Sequence, residues 1–420
     1  MQVPGFGPPV RPPHRDPVLR RTLVLCLALT PVLHAHAGAQ GRVPARALAA
    51  ADADTNSAQA YYQRGMALLD SRPEAAVDAF YWATRLEPGW AEAWYARRTA
   101  MLMARPQLVG IHLKPRRSER DARALRETDS LYLRALGLDP FVPPRLDKRA
   151  LHSQLREMAP RELRATEDPE ALDLMAELVM LQSGPGLRGW NDFAKERYPQ
   201  ALAAYAEALP EARNRSGIHA QRARIFFMTD RPDSALAEMR NALRQSGGES
   251  GTEVLFRVDS RALLEHSLGV ILEKTGDRDG AREAYGRALR EDASYHPAHA
   301  ALASLAAAAG DTAAALREME LAVQAAGSDP VLRYGLARLL SLAGRFAEAE
   351  PHLREAIRAE PCYAPPYALL GGVLEKQGHA APALEQYRAF LEHASRDHEL
   401  VPAIRERISA LGGGAAPTGS

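Results

Sequence analysis

Cysteine is almost absent from this 420-residue chain, which has only Cys26 and Cys362. Two cysteines cannot build a disulfide framework or a cysteine-based zinc site. Aromatic residues make up 6% of the chain, lysine occurs only at 114, 148, 195, 274 and 376, and the net charge is +1. Such a balance sets up no field that would draw the molecule to nucleic acid, so no nucleic-acid partner is expected. A long apolar run is also missing. The stretch from Thr22 to Leu33 falls short of the ~20 residues that span a bilayer, so no transmembrane segment is expected in the mature chain. The signatures of catalysis are absent too. There is no G-x-S-x-G, no Walker A loop and no recognisable carboxylate pair. His398-Glu399 leads to Pro402 where a zinc peptidase helix needs its second histidine. These absences predict no catalytic residue, no metal and no cofactor.

What the chain has is a period. Gly276, Gly310, Gly344 and Gly378 recur every 34 residues. Leu268, Leu302, Leu336 and Leu370 precede them at one phase, each followed by a small residue: Gly269, Ala303, Ala337 and Gly371. Ala281, Ala315, Ala349 and Ala383 follow the glycines, and Tyr285, Met319, Leu353 and Tyr387 come one turn later. The apolar spacing before each glycine is helical, as in Leu268 and Leu272. The glycine supplies the left-handed backbone that ends a helix, and a second helix with alanine on its inner face follows. Such a hairpin cannot bury its apolar face alone, so neighbours must stack.

With four units in register, the chain resembles the tetratricopeptide repeat family, helix-turn-helix units of 34 residues. The resemblance implies an all-α fold: a right-handed superhelical solenoid of antiparallel helix pairs, about seven or eight of them. It also implies a protein or peptide partner held in a concave groove lined by the first helices. Carried over by register, the groove-facing positions are Tyr62, Met66, Leu69, Tyr95, Thr99, Arg224, Phe227, Met228, His266, Val270, Glu273, Tyr334, Arg338 and Ser341. The Lys and Asn that grip a terminal carboxylate in one subgroup are replaced here by His266 and Val270, Ala300 and Ser304, and Tyr334 and Arg338. That ligand class is therefore not expected.

Taken in order, residues 1–39 read as a secretory signal peptide, with Leu19-Arg20-Arg21 before the apolar run and Ala37-Gly38-Ala39 at the cleavage site. The mature protein is then expected outside the cytoplasmic membrane, periplasmic or secreted. Residues 40–57 read as a flexible lead-in, and 58–142 as repeat-like units interrupted by an insertion at 105–128. The insertion carries Arg116, Arg117, Arg120, Arg123 and Arg126, read as a solvated helix with Glu119–Arg123 and Arg123–Glu127 pairs. Residues 143–249 read as irregular helical repeats, with helices at 145–158, 169–182 and 197–209. Within them Gly184-Pro-Gly186-Leu-Arg-Gly189 spells G-x-G-x-x-G, read as a hairpin loop packed down by Trp190 and Phe193 because no strand precedes it. His152, Trp190 and Asp192 have no evident structural role in this pattern, which makes 143–215 the place where an enzyme site would have to lie. A linker at 250–261, the four regular units at 262–397, a capping helix at 398–411 and a disordered tail at 412–420 complete the chain. The sequence thus predicts a protein-binding scaffold or adaptor. A component of an outer-membrane assembly or polysaccharide export system is the alternative.

Overall fold

The computed structural model describes residues 43–46, 54–112, 118–150, 184–212, 214–246 and 260–412. The expected signal peptide, most of the lead-in, the expected helix at 169–182, all but the start of the one at 145–158, and nearly all of the linker and tail lie outside these residues. Every described helix belongs to one compact unit that begins at Ala45. Among the described residues there is no strand, and the helices pack as successive antiparallel pairs.

The first pair is α1 (Ala58–Leu68) with α2 (Pro73–Leu86). In the second, α3 (Ala91–Ala104) packs on α5 (Glu119–Leu138), with the short α4 (Gln107–His112) between them. Two further pairs follow: α6 (Pro185–Ala194) with α7 (Tyr198–Ala208), and α8 (Arg215–Met228) with α9 (Pro232–Gln245). The regular units are α10 (Arg261–Thr275) with α11 (Arg278–Glu291), and α12 (His296–Ala308) with α13 (Thr312–Ala325). They continue as α14 (Pro330–Leu342) with α15 (Phe346–Ala359), and α16 (Pro365–Lys376) with α17 (Ala380–His393). A closing helix, α18, spans Val401–Ala410.

The period has two physical sources. Gly276 sits at φ 85° with open space around its absent side chain, so backbone conformation selects it. Glu196 and Asp230 occupy the same place in their own units at φ 59° and 57°, bearing a side chain where glycine would be relaxed. The second source is close approach. A Cβ on Gly189 would stand 2.7 Å from the Tyr205 ring, and Gly269 and Gly371 lie under Tyr285 and Tyr387 in the same way. Small residue and aromatic are 16 positions apart in all three units, so G-x-G-x-x-G is not a loop. It is the first half of α6, capped at Gly184, and its last glycine seats Tyr205. Trp190 is buried, and Asp192 lies 3.8 Å from Arg197. Both have partners among the described residues, while His152 lies outside them.

The insertion also differs from expectation. Its second half is the start of α5, opened by a capping box between Ser118 and Asp121. Glu127 lies 3.9 Å from Arg105 instead of pairing with Arg123. In α18, Val401 and Ile404 are buried and Leu400 is exposed, because the helix begins one residue after Leu400.

The first two units do not stop at their sequence neighbours. They lie along the loops that join the last units. Pro297, at the start of α12, packs against Gly137. Arg134 pairs with Asp329, the N-cap of α14, with Nη2–Oδ1 at 3.0 Å. Arg85 pairs with Glu360 at 2.6 Å, and Cys362 packs among Tyr61, Trp82 and Trp90. Asn56 donates to the Glu392 carbonyl at 2.7 Å, and the Arg396 amide donates to Asp54 at 2.6 Å. Burial pushes the Glu360 carboxyl up to about 7, outweighing the opposite pull of Arg85. The solenoid therefore closes first pair on last.

Candidate functional site

The groove-facing positions share one phase of the first helices, but the structure treats the two halves of the chain differently. In the first half they are covered. Tyr95 and Thr99 on α3 and Arg224 on α8 are buried. The cover is the chain's own segment 139–150, which follows α5 and lies across α3 and α8. Phe141 stacks on Phe227 with ring centres 4.0 Å apart, and Arg224 donates to the Val142 carbonyl at 2.5 Å. The Tyr95 hydroxyl donates to Asp147, whose carboxylate also lies 3.8 Å from Arg98 and hydrogen-bonds the Trp190 indole. Tyr95 and Arg224 therefore hold a segment of their own chain and are closed to an outside partner. Sequence reasoning missed the acceptor, Asp147, because nothing in its own neighbourhood repeats.

Tyr62 and Met66 on α1 are half-buried. The Tyr62 ring lies 4.5 Å from Trp90, and burial, with Glu92 nearby, raises its hydroxyl to about 12. Phe227 is capped on its other side by Lys274, whose Nζ stands 4.7 Å from the ring centre. Met228 packs into the core shared by the first four pairs. None of these stands free.

His266, on α10, is buried between Tyr285 and Tyr295, with ring centres 5.4 and 5.5 Å away. Its Nδ1 has no hydrogen-bond partner, and burial, reinforced by His296, lowers the imidazole to about 4. It is a neutral core histidine, and its assignment to a partner-facing surface is corrected. The groove register gives only the phase of each position along its helix. It could not say what would lie on top.

Along α12 and α14 several of the same positions stay open, while on α16 Ala368 is buried and Gly372 half-buried. Ser304, Ala307 and Arg338 are exposed, while Tyr334 and Ser341 are half-buried. Tyr334 meets Tyr363 edge to face at 5.8 Å, and burial raises its hydroxyl above the ordinary tyrosine value. Arg338 stands one turn from Tyr334 and forms no ion pair with any described residue. Small residues, Ala300 and Ser304 on one side and Ala368 and Gly372 on the other, flank this Tyr-Arg pair at equivalent positions. Val270 on α10 borders this region, half-buried against the core. The arrangement offers one aromatic edge and one cation on a floor of small side chains, suited to a backbone that approaches closely.

An open depression of about 500 Å³ lies elsewhere, on α13 and the start of α15, lined by Leu316, Arg317, Glu320 and Arg345. Among the described residues no three His, Cys, Asp or Glu side chains gather as a metal site. No helix among them is long and apolar enough to cross a membrane.

Residues 306–369, from the end of α12 to α16, match the family model described as tetratricopeptide repeat. Among solved structures, the C-terminal part of a TPR repeat-containing protein from Cytophaga hutchinsonii is similar at 15% identity, covering 54% of this chain and 84% of that one with a TM-score of 0.44. YrrB, described as a TPR protein with an unusual peptide-binding site, is similar at 18% identity over 49% of this chain and 99% of its own, TM-score 0.39. MamA is similar at 16% identity over 41% and 93%, TM-score 0.35. Among curated proteins no sequence matches. On its 34-residue period, its paired helices and the matched segment 306–369, the chain carries tetratricopeptide repeats.

Proposed function

We propose that this chain is a protein-binding scaffold that acts outside the cytoplasmic membrane and holds a partner peptide or helix along α12 and α14. The observation that carries the reading is the asymmetry of the groove-facing positions. Where Tyr95 and Arg224 are buried under residues 139–150, Arg338 and Ser304 on the later helices are exposed and Tyr334 is half-covered. Repeat units whose recognition phase is left open, with an aromatic and an arginine at its centre, suit a protein partner. Affinity comes from apolar burial around Tyr334, and Arg338 favours a partner with an acidic group one helical turn away.

The test is crosslinked capture from envelope extract by the mature chain, wild type against a Tyr334→Ala, Arg338→Ala variant. One dominant protein is expected, lost in the variant. Equal capture by both would remove the face from consideration. The compartment is tested separately: alkaline phosphatase fused after Ala39 is expected to be active, and an inactive fusion would place the scaffold in the cytoplasm.

A further inference from the structure

The segment 139–150, Asp-Pro-Phe-Val-Pro-Pro-Arg-Leu-Asp-Lys-Arg-Ala, is bound as a peptide is bound. Pro140, Pro143 and Pro144 fix φ and withdraw backbone donors, which narrows the segment's conformations before any contact forms; it turns at 140–141 and again at 145–146, where it enters a helix that begins at Asp147. Phe141 provides an aromatic anchor on Phe227. Arg224 reads the backbone through the Val142 carbonyl. Six residues after Phe141, the Asp147 carboxylate is received by Tyr95, Arg98 and Trp190, three side chains drawn from α3 and α6. Arg145 pairs with Glu92, and Arg149 with Asp70 at 2.5 Å, at the flanks. Phe141, Val142 and Asp147 are 3%, 1% and 6% exposed. Tyr95, Arg224 and Phe227 are groove-facing positions by the repeat register, so the segment lies where the period directs an outside ligand. The polar contacts are directed at a carbonyl and a carboxylate, which an ordinary apolar core does not require.

We infer that the face formed by α3, α6 and α8 is a receptor for a segment with an aromatic residue followed six positions later by a carboxylate at the start of a helix, and that residues 139–150 are its resident ligand in cis. Tethering keeps the local concentration of this ligand high, so the wild-type face is filled against free peptides of the same chemistry. The inference is independent of the open face on α12 and α14.

The experiment uses the full chain carrying Phe141→Ala and Asp147→Asn, titrated with a synthetic peptide of residues 139–150. Saturable binding and a rise in melting temperature are expected for the variant, with neither in wild type. The same peptide with its own Phe and Asp replaced is expected not to bind. A folded variant whose titration and melting temperature stay flat overturns the inference. If the double variant does not fold, hydrogen exchange on wild type decides. Amides of 141–150 are expected to open before those of α3 and α8, and exchange of both only together would make the segment ordinary core.

Discussion

Replacing His266 with leucine should change the acid stability of the protein far more than its stability at neutral pH. The imidazole is 5% exposed, has an unpartnered Nδ1, and is held at about 4 against an ordinary 6.5. A histidine whose folded value is depressed contributes stability that is present above 6.5 and lost as pH falls through 4, because the unfolded chain takes up the proton first. The depression corresponds to about 2 kcal/mol lost at pH 5 and about 3 kcal/mol at pH 4. Leucine is close in volume and does not titrate. At pH 7.5 it gives up ring contacts with Tyr285 and Tyr295 worth ~1 kcal/mol and relieves the buried Nδ1, which costs a similar amount, so the net change is small. Urea unfolding at pH 7.5, 5 and 4 gives the comparison directly. The difference between variant and wild type is expected to swing by about 2–3 kcal/mol in favour of leucine on going to acid. Taking this difference matters, because Glu360 contributes a slope of opposite sign in both proteins. Parallel pH profiles would mean that His266 reaches solvent, and that its position belongs to an open groove after all.

Glu360 gives the opposite test. Its folded value of about 7 lies above the ordinary carboxylate, so its contribution is full below about 4.5 and is lost as pH rises through 7. Glu360→Gln should flatten that slope in the same unfolding series. Glu196→Gly should raise stability by ~0.5–1 kcal/mol, since relief of a left-handed L-residue exceeds the entropy that glycine adds to the unfolded chain. An unchanged urea midpoint would show the turn to be unstrained. Gly189→Ala should cost about 1–3 kcal/mol by driving a methyl into the buried Tyr205 ring, seen as a lower midpoint at unchanged denaturant slope. A neutral result would contradict the close approach.

Much of the architecture is legible in the residue pattern because one helix pair repeats it. Leu268, Gly269, Gly276, Ala281 and Tyr285 each have a local cause, and the cause recurs 34 residues on. The same pattern was readable in α6 and α7, where Gly189 and Tyr205 keep the 16-residue spacing of Gly269 and Tyr285. There the glycine motif drew attention to the loop it spells and away from the ring it seats. The joints between first and last units were not legible. Arg134 and Asp329 are 195 positions apart, and each reads in isolation as a surface charge. The same holds for the candidate site. Helix phase marked Tyr95, Arg224 and His266, but burial depends on segments with no periodicity, such as 139–150, so phase alone overstates how much of the face is open.

The closing joints constrain how such a chain can change over generations. Repeat arrays ordinarily lengthen or shorten by duplicating or losing a unit, since each unit answers only to its neighbours. Here Pro297, Val331, Glu360 and Ala394 meet Gly137, Gly89, Arg85 and Asn56 in turn. On the later units these meeting points fall 34, 29 and 34 positions apart, close to the repeat length, like the teeth of a rack. A unit gained or lost between α12 and α17 would put every later tooth out of step. The 34-residue spacing is set within each pair by its glycine and its seated side chain, but the number of units between α12 and α17 is constrained by the opposite end of the molecule.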